Sequence, residues 1–219
     1  MPLLACAAAR GLDLALVTVA ITGHVEFSNL APSLGVKVGD PVKMSFLTLP
    51  SPVDRIAGDG SGVHLSDGIA PYLMCNETFS LSIGKIMGKL GAAAPDSITG
   101  LVTTDTYLSL ASKRPVHDSI FMSTAAATPA PLPVLLDTQK LYDFDLVTKT
   151  PAGHFMLDFA LGYTRDTLPS LHMKQAGSKK YTGKGLLSSD FSLYWSFPTN
   201  VVVRVKLDAI DIQYPTDAR

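Results

Sequence analysis

Apolar and polar residues alternate along most of the chain beyond position 20. In residues 21–30, Ile21, Gly23, Val25 and Phe27 share one side, and Thr22, His24, Glu26 and Ser28 the other. That period of two marks a half-solvated strand. In residues 35–49, Val36 and Val38 precede a Gly39-Asp40-Pro41 corner, and Val42, Met44 and Phe46 resume the alternation after it. Two strand pieces around a tight turn are predicted there, with Asp40 as a structural turn residue.

Further strands are expected in residues 62–74, with a break at Gly68 or Pro71, and in 75–90, 98–111, 120–122 and 134–146. The clearest pattern of the second half is residues 153–163. Phe155, Leu157, Phe159, Leu161 and Tyr163 lie on one face, and His154, Met156, Asp158 and Ala160 on the other. Residues 164–185 read as a long polar loop. Phe191, Leu193, Trp195 and Phe197 then alternate with Ser192, Tyr194 and Ser196. In residues 201–212 the apolar phase shifts by one between Leu207 and Ile210, which predicts a β-bulge near Ala209. Helical periodicity is absent beyond position 20. Short strands punctuated by Gly and Pro predict an all-β fold, an antiparallel two-sheet β-sandwich of jelly-roll type with long loops.

Residues 21–215 are expected to form a single domain, since a boundary in the Pro-rich stretch 125–133 would leave each half short of strands. Residues 1–20 are apolar and rich in Ala and Leu, and Thr18 and Ala20 suit a peptidase site before Ile21. They read as a degraded signal peptide or as an N-terminal helix or strand retained in the fold. No apolar run reaches the ~18 residues of a membrane-spanning helix.

Composition narrows the functions. Hydrophobic residues make up 47% of the chain and charged residues 17%, so a packed core is expected over disorder. The net charge of −1 provides no electrostatic footprint for a nucleic-acid partner. The two cysteines, Cys6 and Cys75, have no metal-site spacing, and Cys75 is expected to be a buried free thiol. Asn76-Glu77-Thr78 spells a glycosylation sequon.

The strand ITGHVEF followed by GVKVGDPVKMSFLTL resembles the opening of exported bacterial β-sandwich proteins that carry a C-terminal PEP sorting signal. The matching residues are Thr22, Gly23, Val25, Gly35, Val36, Val38, Gly39, Asp40, Pro41, Ser45 and Phe46. The Pro-Glu-Pro sorting tail of that group is missing. The resemblance implies a scaffold secreted or held at the bacterial cell envelope, and it transfers no catalytic residue.

Candidate chemistry is sparse. The histidines at 24, 64, 117, 154 and 172 lack the spacing of a metal site. Asp54 and Asp59 sit among glycines without the remainder of a calcium loop. Asp143, Asp145 and Asp158 are predicted to face outward on neighbouring strands, where carboxylates can bind calcium, serve glycoside hydrolysis or simply remain solvated. Tyr194 is a candidate for stacking on sugar rings, with Tyr181 nearby. No cofactor is expected, calcium being the one candidate. The function expected is that of a non-catalytic exported structural or adhesive protein with a carbohydrate or protein partner at the cell surface. The alternatives are a carbohydrate- or calcium-dependent binding module and a hydrolase on a β-sandwich scaffold.

Overall fold

The computed structural model describes residues 16–30, 35–53, 68–90, 106–113, 117–124, 132–137, 155–195 and 201–215. Its strands are β1 (Val17–Ser28), β2 (Pro41–Thr48), β3 (Ile69–Ile83), β4 (Ile86–Leu90), β5 (Thr106–Lys113), β6 (His117–Thr124), β7 (Leu132–Leu136), β8 (Phe155–Thr164), β9 (Lys179–Thr182), β10 (Leu186–Trp195) and β11 (Val201–Gln213). One short helix, α1 (Met173–Ala176), lies between β8 and β9. The described residues are all-β, and every strand pairing is antiparallel.

The expected two-sheet sandwich is corrected to a closed eight-stranded barrel. The circuit runs β1–β2–β3–β5–β6–β8–β10–β11 and returns to β1. One wall of the barrel is split. The long strands β3 and β8 are bridged twice. At one level β5 pairs with Ile69–Leu73 of β3 while β6 pairs with the far half of β8. At the other level β4 pairs with Leu81–Ile83 of β3, and β7 joins β4 to Phe155–Leu157 of β8.

Inward residues fill the barrel, as expected where eight strands leave an interior about as wide as its own side chains. Tyr72, Tyr163, Phe46, Phe155, Phe159, Ile21 and Met44 are among the largest fully buried side chains. Phe159 meets Phe191 edge-on at 5.2 Å, an aromatic contact that ties β8 to β10 inside the core. The outward positions of β2 and β11 carry Lys43, Ser45, Arg204, Lys206 and Asp208. Apolar inside and polar outside is the reverse of a membrane-spanning barrel's outer band. Among the described residues no helix is long and apolar enough to cross a membrane.

The segment after β8 seals one end. Leu168 and Met173 are buried in the core. The hydroxyl of buried Tyr72 donates to the Leu171 carbonyl at 2.7 Å and accepts from the Met173 N–H at 2.8 Å. The Leu168 N–H donates to the buried carboxylate of Asp118 at 2.8 Å. The stretch expected as a long polar loop is therefore a plug with α1 and β9 built into it.

Bulges bend the strands into closure. β11 carries one extra residue, Asp208, where Thr22 faces Ala209 and Gly23 faces Leu207, at the phase shift seen in the sequence. β1 carries another, Glu26, between Val25 and Phe27. That second bulge turns Phe27 outward to 46% exposure, correcting its expected place beside Val25. The ladder between β2 and β3 breaks between Ser45 and Leu47, where β3 loops out Asn76–Phe79. There the Thr78 hydroxyl accepts from the Leu47 N–H at 2.8 Å and donates to the Cys75 carbonyl at 2.7 Å. Asn76 accepts a hydrogen bond from Thr106 through its amide oxygen. The sequon spelling thus serves the bulge.

The opening corner also differs from expectation. Residues 35–40 are turn and β2 begins at Pro41, so Val36 and Val38 do not share a strand face. Val36 is buried and Val38 is 70% exposed. Gly35 and Gly39 take left-handed φ values of 77° and 91°, which break the extended chain. The Asp40 carboxylate accepts from the Lys37 N–H at 2.7 Å, closing the turn on itself.

One expectation near the N-terminal half is corrected. Cys75 is buried and disulfide-bonded, which replaces the expected free thiol. The chain's other cysteine, Cys6, lies outside the described residues. The boundary expected at 20/21 falls inside β1, where buried Val17 and Val19 pair with Thr48 and Phe46 of β2.

Candidate functional site

The outer surface of β8, β10, β11 and β1 places an aromatic, carboxylates and a guanidinium in register. Asp158 faces Ser192, Ser192 faces Arg204, and Arg204 faces Phe27. One residue pair along, Tyr194 faces Met156 on one side and Val202 on the other. Asp190 faces Ala160 and stands two residues from Ser192, whose hydroxyl donates to it at 2.9 Å. The local cause is the alternation of β10. Phe191 and Leu193 are buried, so Asp190, Ser192 and Tyr194 must point outward.

Charge and partial burial couple these groups. Burial raises the pKa of the Asp158 carboxyl, and the neighbouring Asp190 carboxylate raises it further. The Tyr194 hydroxyl is also raised, first by burial and then by Asp158 and Asp190. On the flank, the Arg204 guanidinium sits 5.8 Å from the centre of the Phe27 ring, a cation–π contact between β11 and β1.

Beside this strip a cleft of about 660 Å³ opens between β10 and β11. β10 pairs with β11 over Ser192–Trp195, and β9 pairs with it over Lys179–Thr182. On that side of β11, residues 205–208 have no strand partner. Val202 exchanges both backbone groups with Asn29 on the β1 side. By alternation, Val205 and Leu207 direct their backbone groups into the cleft. Leu186, Phe191, Val205 and Leu207 supply its apolar surface, while Asp190, Arg204, Glu26 and Lys206 supply charge. Asp190 and Arg204 belong to both the strip and the cleft.

Of the residues predicted from sequence, Asp158 and Tyr194 are brought together on adjacent strands. Asp143 and Asp145 lie outside the described residues, as do Asp54 and Asp59. Tyr181 is not near Tyr194 on this surface. It is buried against Tyr163 at a ring distance of 6.3 Å. His24 bonds Asp208 at 3.0 Å on the exposed surface. Among the described residues no group of three His, Cys, Asp or Glu is placed to hold a metal ion. Sequence reasoning missed Asp190, Arg204 and Phe27. The alternation of β10 could have placed Asp190 beside Tyr194, but the pairing of β10 with both β8 and β11 carries no local signal.

Comparison of the chain with family models, curated proteins and solved structures finds no match.

Proposed function

We propose that the protein is a non-catalytic, exported adhesive domain of the bacterial cell envelope, and that the outer strip of β8 and β10 with its adjoining cleft binds carbohydrate. The observation that carries this reading is the position of Tyr194, an outward aromatic beside two carboxylates, one of which, Asp190, also lines the amphipathic cleft. A sugar ring offers an apolar face and a rim of hydroxyls. Tyr194 suits the face, and Asp158 and Asp190 accept from the hydroxyls. The strip lies half-buried on the outer wall of the barrel, which suits recognition more than the water-excluding enclosure that catalysis draws on.

Support for export is of a different kind. A disulfide at Cys75 fits an oxidising compartment. The Gly39-Asp40-Pro41 corner, in which Asp40 bonds backbone, fits the exported group that the sequence resembles.

Screening of the intact protein on immobilised neutral glycans, followed by calorimetry on those retained, tests the reading. Tyr194→Ala is expected to weaken binding about tenfold or more, the loss of one stacking and burial contact. Asp190→Asn is expected to weaken it less. Retained affinity in Tyr194→Ala would remove the strip from the binding surface. Release of reducing sugar from a retained glycan would make Asp158 and Asp190 a hydrolytic pair instead.

A further inference from the structure

A second cleft, of about 340 Å³, lies across the β9–β10 turn from the first. Gly183 lines the first cleft, and Thr182 and Lys184 line the second. The second cleft is walled by Lys179, Lys180 and Lys184, with Thr167 and Thr182 beside them and Tyr163 and Tyr181 below. Among the described residues no carboxylate lines it. For a chain of net charge −1, three lysines among the lining residues of one cavity are a marked local excess.

Among the described residues no ion pair engages these lysines. The His24–Asp208 and Arg165–Asp166 pairs lie elsewhere and involve none of them. Asp211 faces Lys180 across the ladder without forming an ion pair with it, and its carboxylate accepts from the Gln213 amide. Asp118 lies buried near Tyr181 and is occupied by the Leu168 N–H.

The second observation is independent of charge. Tyr163 is fully buried, and its hydroxyl has no hydrogen-bond partner. A buried hydroxyl without a partner is costly to keep, so its presence on this wall requires a reason. The other hydroxyls differ. Thr167 donates to the Thr164 carbonyl at 2.7 Å, and Thr182 accepts from the Lys184 N–H at 3.3 Å, leaving its own proton to give.

We infer that this cleft binds a tetrahedral oxyanion, a sulfate or phosphate ester group carried on a larger molecule, held by Lys179, Lys180 and Lys184 with the Thr182 and Tyr163 hydroxyls as neutral donors. Ammonium groups grip such an anion from several directions, as flexible point charges do. An ester oxygen seated between the lysines gives the Tyr163 hydroxyl the acceptor it lacks. The site does not depend on the Tyr194 strip and stands or falls separately.

The test uses the intact protein with dextran sulfate and with inorganic polyphosphate, and unmodified dextran as control, at about 0.1 M salt so that distant charges are screened. Wild type is expected to bind at least one of the two anions, and whichever binds more tightly identifies the ester. Lys179→Ala/Lys180→Ala/Lys184→Ala is expected to lose about tenfold or more in affinity. Lys37→Ala/Lys43→Ala/Lys89→Ala removes the same charge elsewhere and is expected to bind like wild type. Tyr163→Phe is expected to weaken binding several-fold while melting no lower than wild type, which separates ligand contact from folding. Failure of wild type to bind either anion, or equal losses in the two triple variants, would overturn the inference. Full affinity in Tyr163→Phe would remove the hydroxyl from it.

Discussion

Tyr72 and Tyr163 show what burial does to a phenol in this barrel. Burial is the main cause that pushes each hydroxyl up to about 12, and Tyr72 is held there despite the Met173 N–H, which favours its ionised form. The folded state keeps these protons more tightly than the unfolded chain does. Their contribution to stability is fully present below the unfolded value of 10.0 and is lost as pH rises through about 12. Denaturant midpoints should therefore hold up to pH 10 and fall steeply beyond it, and Tyr72→Phe/Tyr163→Phe should flatten that fall. Asp158 follows the same sign. Its folded pKa is raised, so its favourable contribution belongs to the protonated form and is lost as pH climbs through the folded value. Asp158→Asn should raise the melting temperature at pH 7, and the gain should vanish below pH 3.8, the ordinary value of the group, where both states are protonated. A carboxylate kept at a cost to stability is what a binding residue looks like.

At the scale of elements, the ladder between β1 and β11 decides closure, and Gly23 is its tightest point. A Cβ there would lie 2.5 Å from the Lys206 carbonyl oxygen and 2.8 Å from Val205 Cγ1. Gly23→Ala should cost about 1–3 kcal/mol by overpacking, measured by urea unfolding. Unchanged stability would mean that the bulge at Asp208 can slide. This element was legible in the sequence because two periods met in it: the phase of Val201–Leu207 and that of Ile210 and Ile212 disagree, and only a bulge reconciles them. β8 was legible for the simpler reason that five alternating apolar residues face one core. Residues 35–38 were misread because alternation over four residues does not separate a strand from a turn held by left-handed glycines. β9 was missed because Tyr181 is the one buried residue in a run of lysines.

For the whole molecule, the all-β class followed from periodicity, while closure did not. A strand's period reports which face is buried and leaves open which strands it joins. β8 joins β10 on one side and both β6 and β7 on the other, and no residue spells that choice. The candidate site was half legible for the same reason. Asp158 and Tyr194 could be assigned outward faces, but Asp190, Arg204 and the cleft exist through pairing and splaying of distant strands. Because large side chains fill the barrel, the proposed carbohydrate recognition is assigned to its outside.

Backbone amide NMR during titration with a retained neutral glycan tests that placement most directly. Shifts are expected to concentrate at residues 190–195 of β10, at Met156 and Asp158 of β8, and at Val202 and Arg204 of β11, with β2 and β3 unmoved. Shifts centred on β2 and β3 instead, with the β10 amides silent, would contradict it.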